Sequence, residues 1–296
     1  VREGDVDVTY FVVQRTINGA TGDYVERLDT RQYDDLEDAF CVDLGLSYDV
    51  PVTISGYTQA NPVVITATSH GFSNGDTVDI TGINVVDTST RGYSASTEIV
   101  GNGYTIANVT THTFELQSEA ANVDGTAFAA YANGGEVRKA VTTISGLWHL
   151  EGEDVAVAAN GQAVDDLTVS NGSITLTDAA SRVHIGLPYT CRLTTLPLSS
   201  YADAGGSITG KAKNINRLTV HIDRSRGMWF GPTTDQMRSA KFTLPTARAR
   251  AAMTSDTIDV TMKPDWGKTK QIVIEQRDPL PLTVLALVPD ISVGGN

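Results

Sequence analysis

Val63-Val64-Ile65-Thr66-Ala67-Thr68 is followed by His70-Gly71-Phe72-Ser73-Asn74-Gly75-Asp76 and then by Thr77-Val78-Asp79-Ile80-Thr81. The first run is dominated by β-branched residues, which pack well on a pleated surface. The middle run is a cluster of turn residues, with Asn-Gly tolerating positive φ. In the third run Val78 and Ile80 share one face, because strand side chains alternate. The segment reads as strand, turn, strand. Gly103 to Val109 and Thr113 to Leu116 form a further strand pair, and Gly134-Gly135-Glu136-Val137 closes the unit. Strands recurring at about ten-residue spacing predict a small β-barrel or sandwich.

Strand signals continue on both sides. Val6 to Val13 begins with alternation and ends β-branched. Thr16-Ile17-Asn18-Gly19 is turn chemistry, and Tyr24 to Leu28 reads as the returning strand of a hairpin. Arg31 to Phe40 is the one stretch here with helical spacing, placing Tyr33, Leu36 and Phe40 on one face. Downstream, Val155-Ala156-Val157 leads into Asn160-Gly161. Leu167-Thr168-Val169, Ile174-Thr175-Leu176, Arg182 to Ile185, Ile215 to Ile222, Thr257 to Thr261, Gln271 to Glu275 and Leu280 to Pro289 all read as strands. Residues 52–140 differ in composition, being rich in Thr, Val, Gly, Asn and Ala and poor in charge. The expected fold class is therefore all-β: a β-sandwich or barrel-like domain with an inserted small β-barrel domain. Residues 1–51 plus 141–296 form the discontinuous domain and 52–140 the insert, since insertions succeed where chain ends lie close together.

Composition narrows the function. Of the 296 residues 41% are hydrophobic, enough for a buried core. No stretch approaches the roughly 20 apolar residues of a membrane-spanning helix. Val1-Arg2-Glu3-Gly4-Asp5 is neither an initiator Met nor a signal peptide, so the chain reads as part of a longer protein. The net charge of −13 is uneven: residues 1–50 are net −8, residues 51–140 net −5 and residues 141–296 neutral. A basic stripe of the kind that grips phosphates is missing. The acidity serves solubility, or it makes a surface that DNA passes without adhering. Cys41 and Cys191 make neither a disulfide framework nor a zinc pattern. Their apolar contexts predict buried thiols, which fits a reducing cytoplasm, with a single disulfide as the alternative.

No catalytic constellation is encoded locally. His70, His112, His149, His184 and His221 are scattered, without the convergent spacing of a metal site. Asp34, Asp35, Glu37 and Asp38 are expected on a solvated helix face, the alternative being a cation site. Glu151, Glu153 and Asp154 match a glycosidase pair only by their proximity in sequence. Trp148, Trp229 and Trp266 are expected as buried anchors rather than a sugar platform. Arg224, Arg226, Lys241, Arg248 and Arg250 make the C-terminal half locally basic. They suit pairing with acidic neighbours, or contact with phosphates. The expectation is a non-enzymatic protein with no catalytic, cofactor-binding or metal-binding residues and no cofactor.

Arg15-Thr16-Ile17-Asn18-Gly19 with Tyr24 to Arg27, Phe40-Cys41-Val42-Asp43 with Gly45 to Tyr48, and Leu147-Trp148-His149-Leu150-Glu151-Gly152 resemble successive segments of the tail nozzle, or packaged-DNA stabilisation, proteins of short-tailed bacteriophages. So do Val183 to Tyr189, Lys211 to Val220 and Asp278 to Leu287, in order and on both sides of 52–140. The insert resembles a small β module also found as the first catalytic-cysteine half-domain of ubiquitin-activating enzymes, without its chemistry, since 52–140 holds no cysteine. The resemblance implies a structural virion component assembled in the bacterial cytoplasm: a homo-oligomeric ring, of six copies, that closes the tail tip, retains packaged DNA and conducts it on ejection. Its implied partners are an adaptor, a tail fibre or spike, and DNA in transit, with no membrane-spanning segment. The other reading is a host-surface adhesin module of a tail spike or fibre.

Overall fold

Asn-Gly recurs at three tight turns, and the computed structural model shows why. Asn18-Gly19, Asn160-Gly161 and Asn171-Gly172 all have positive φ at both residues, between 47° and 75°. Two central residues with φ > 0 make the turn whose twist matches paired strands. The flanking residues pair directly, Ile17 with Ala20, Ala159 with Gln162 and Ser170 with Ser173. The structure describes residues 2–3, 6–29, 33–87, 92–96, 98–199, 201–202, 206–242 and 252–294.

The fold is all-β, and every strand pairing among the described residues is antiparallel. The N-terminal hairpin, Tyr10–Ile17 with Ala20–Arg27, is a two-stranded sheet by itself. The expected strand over Val6 to Val13 is broken, with Val6–Asp7 separate from Tyr10–Ile17. A four-stranded sheet runs in the order Gln162–Thr168, Asp154–Ala159, Arg182–Leu187, Asp43–Asp49, which leaves Asp43–Asp49 at an edge. The largest sheet runs Ser173–Ala180, Tyr131–Ser145, Thr77–Asp87, Gly101–Ala107, Thr113–Ser118, Val64–Thr66, Gly56–Tyr57. Pro51–Thr53 pairs back onto Tyr131–Ser145. No closed barrel forms among the described residues. The chain bends at Ile54 and Ser55, whose N–H groups donate to Gly135 and Thr66 respectively, so one segment serves both ends of the path.

The core is divided. One cluster, from Ile54 to Val137, holds Phe114, Ile65, Ile80 and Leu116, all fully buried. A second, from Ile144 to Ile185, lies between the four-stranded sheet and the Tyr131–Ser145/Ser173–Ala180 ladder. A third joins the three-stranded sheet Thr254–Thr261, Lys213–Ser225, Thr283–Val293 to a sheet containing Val273–Gln276 and Trp229–Gly231. Tyr131–Ser145 runs unbroken from the first core to the second.

The helix expected over Arg31 to Phe40 is replaced by a single 3₁₀ turn, Leu36–Asp38. Tyr33, Leu36 and Ala39 are buried together against Leu280. Their spacing of three matches three residues per turn, which lines up side chains at i and i+3. Residues 31 and 32 lie outside the described residues. No α-helix occurs among the described residues, and none of their helices is long and apolar enough to cross a membrane.

Candidate functional site

The hairpin alternates as a strand pair must. Val13, Arg15 and Ile17 turn towards the body of the protein, while Val12, Gln14 and Thr16 turn away. Ile17 is buried at the tip, and the Asn18 N–H donates to Glu153 Oε1 at 2.6 Å. Arg15 donates to both carboxylate oxygens of Glu26, at 2.5 and 2.8 Å, and lies 3.6 Å from Asp43. The Glu26 hydrogen bond raises the Arg15 pKa, against desolvation. Val12 and Val25, opposite each other on the outer face, are each 73% exposed.

Beneath the hairpin lies a cleft of about 1130 Å³. Its walls are the hairpin strand from Tyr24, the edge strand from Asp43, the edge strand from Cys191 and the turn before Val284. Phe11, Leu46 and Leu193 give it an apolar, exposed lining. Tyr33 donates to the Phe40 carbonyl at 3.0 Å, and burial, reinforced by Cys41, pushes its phenol up to about 12. Ser47, also on the wall, lies 2.6 Å from His184 Nδ1, and His184 Nε2 is 2.8 Å from the Glu37 carbonyl. A neutral ring that donates from Nε2 and accepts at Nδ1 satisfies both contacts. Burial holds the His184 pKa below its ordinary value. The ring pins the Leu36–Asp38 turn to the sheet.

The carboxylates singled out in the sequence do not converge. Glu151 accepts from the Asn171 and Gly172 N–H groups at 2.9 and 2.7 Å, Glu153 from Asn18, and Asp154 from the Thr168 hydroxyl at 2.6 Å. Each caps a different turn or ladder. Asp34 is fully exposed, 3.9 Å from Arg224, while Glu37 is buried and Asp38 pairs with Arg182. Thus the four acids near residue 35 do not share one solvated face. Among the described residues no group of three or more His, Cys, Asp and Glu side chains is placed to hold a metal ion. The histidines make local structural contacts: His70 accepts from Phe72 N–H and His112 from Ser69 N–H in one loop, His149 contacts Leu44 O, and His221 contacts its cross-strand partner Thr257.

Several expectations are corrected. Cys191 is exposed, because its edge strand leaves one side open, and Cys41 is half-buried in the segment before Asp43; both are on the cleft wall. Trp148 is 69% exposed and Trp266 is also exposed, so neither is a buried anchor. The Trp148 ring lies over Gly172, where a Cβ would come within 2.6 Å of it. Trp229 carries the Arg277 guanidinium 4.8 Å above its ring. Arg226 is buried over Phe242, at 5.8 Å, rather than offered to a partner, and desolvation lowers its pKa. Lys241 is exposed, and Arg248 and Arg250 lie outside the described residues.

Sequence reasoning missed the buried arginines Arg138 and Arg182. Val137 and Arg138 are adjacent, hence on opposite faces of one strand, and both are buried, so the strand is covered on both sides, which the sequence did not signal. No protein-family model matches the chain, and no curated protein matches it.

Proposed function

We propose that this chain is a non-enzymatic assembly component of a short-tailed phage tail tip, working in a ring of six copies that closes the tail and conducts DNA. It would act in the virion, after assembly in the bacterial cytoplasm, against an adaptor and a fibre or spike. The observation that carries the reading is the hairpin Tyr10–Arg27. A lone two-stranded sheet is marginal in water, yet this one presents Val12 and Val25 outward at 73% exposure. Such a face is suited to being covered by another chain. The ordered resemblance of segments on both sides of 52–140 supplies the kind of assembly, and the net charge of −13 suits a wall that releases DNA.

The test is the mass of the assembled full-length protein in solution, with and without Val12→Asp and Val25→Asp. A ring in the parent that falls to monomer in the double variant supports the reading. A ring unaffected by both changes, or submicromolar DNA binding with a steep salt dependence, refutes it. Exposed Trp148, held flat over Gly172, favours the second reading, a host-surface adhesin, because an open indole face stacks on sugars. Glycan binding abolished by Trp148→Ala would select it.

A further inference from the structure

The cores over residues 54–137 and 144–185 are separate clusters, and the seam between them is polar. Asn160 Nδ2 reaches the buried carboxylate of Asp79 at 3.4 Å, and Tyr48 donates to the Lys139 carbonyl at 3.1 Å. The chain crosses this seam twice, at Asp49–Pro51 and at Ala140–Thr143. The second crossing contains a register shift between Val141 and Thr143. The extra residues lie in the partner strand, between Thr175 and Ala180, so the ladder that holds the crossing is interrupted there. Lobes with separate cores and a polar seam move relative to one another unless something fixes them.

We infer that Asp49 is an ionic lock that fixes the orientation of the 52–140 lobe, and that the lobe swings about residues 141–143 when the lock opens. Asp49 Oδ1 accepts from Arg138 Nε at 2.5 Å, and Oδ2 lies 3.5 Å from Arg182 Nε. Arg138 belongs to the lobe: its other nitrogens donate to Thr81 Oγ1 at 3.2 Å and to Glu136 at 2.7 Å. Arg182 belongs to the other side, where it pairs with Asp38 and lies 4.0 Å from Glu37. One carboxylate therefore sits between a guanidinium from each lobe. The Arg138 side chain is only 4% exposed. A buried cation that loses its counterion is strongly disfavoured, so the observed orientation is the one that serves both arginines.

The test is hydrogen exchange on the full chain carrying Asp49→Asn, which keeps the shape and removes the charge. Exchange at residues 49–53 and 136–143 should rise about tenfold or more, while amides at Ile65, Val78, Val157 and Ile185 stay as in the parent. Glu136→Gln, which alters only the outer, more exposed partner, should leave the seam unchanged. A seam within twofold of the parent in Asp49→Asn overturns the inference, as does an equal rise in both cores. Should that variant not fold, the parent decides. Seam amides as protected as the cores support a lock, and seam amides that open before either core refute it.

Discussion

Replacing residues 52–137 with an Asn-Gly pair should leave the rest of the chain folded. Pro51 and Arg138 are direct partners in the ladder, which places their Cα atoms about 5 Å apart. A two-residue turn of the type already used at Asn18-Gly19 spans that gap. The change removes the Asn160–Asp79 contact, the Lys139–Asp76 pair and the Arg138 bonds to Thr81 and Glu136. It also removes the pairing of residues 138–140 with Thr77 to Asp79. A buried hydrogen bond is worth about 1 kcal/mol net and a surface ion pair about 0–1 kcal/mol. Arg138 gains water as the lobe departs and keeps Asp49. The net cost is about 3–5 kcal/mol, below the roughly 5–15 kcal/mol that stabilises ordinary domains. Far-UV circular dichroism and urea titration would measure it. A chain with no cooperative unfolding transition would show that the lobe supplies packing the remainder cannot do without.

Phe114→Ala should cost about 3–5 kcal/mol in urea unfolding, because the ring is fully buried against His70 and Phe72; a loss under about 1 kcal/mol would contradict that packing. His184 has a folded pKa below its unfolded value of about 6.5, so the unfolded state takes up the extra proton first and stability falls as pH drops below about 6.5. His184→Gln should flatten that slope between pH 7 and 5, as read from melting temperatures, and an unchanged slope would exclude His184 as its source. Gly172→Ala, at positive φ and beneath Trp148, should cost about 1–2 kcal/mol and shift the tryptophan emission; an unaltered spectrum would mean that the ring does not rest there. In the native protein Cys191 should alkylate well before Cys41, as followed by peptide mass spectrometry.

What the sequence made legible is what local chemistry determines. Asn18-Gly19 and Asn160-Gly161 reported their turns because Asn and Gly both tolerate positive φ. Val78 and Ile80 reported their buried face through alternation, and both are fully buried. Misreadings arose where tertiary context decides. Tyr33 to Phe40 has helical spacing, yet packing against Leu280 draws in Leu36 and Ala39 and stops the turn after Asp38. Cys191 looked buried by its neighbours, but it lies on an edge strand, and edges are settled by sheet order. The cleft was invisible because its walls come from residues near 25, 45, 192 and 282. Arg138 and Arg182 carry no local mark of burial, because their partners Asp49 and Asp38 lie far away in the chain.

The strand Tyr131–Ser145 limits how such proteins exchange parts. Val137 points into one core and Ile144 into the next because they are seven positions apart, and an odd separation places strand residues on opposite faces. The register shift beside Val141 leaves that alternation intact, because its extra residues lie in the partner strand between Thr175 and Ala180. A recombination event or an engineered cassette that imports a different lobe must therefore arrive in step with that alternation. A junction one residue long or short would turn Ile144 outward and empty the recipient's core. Exchange points outside the strand are tolerant of length, and those within residues 138–145 are not.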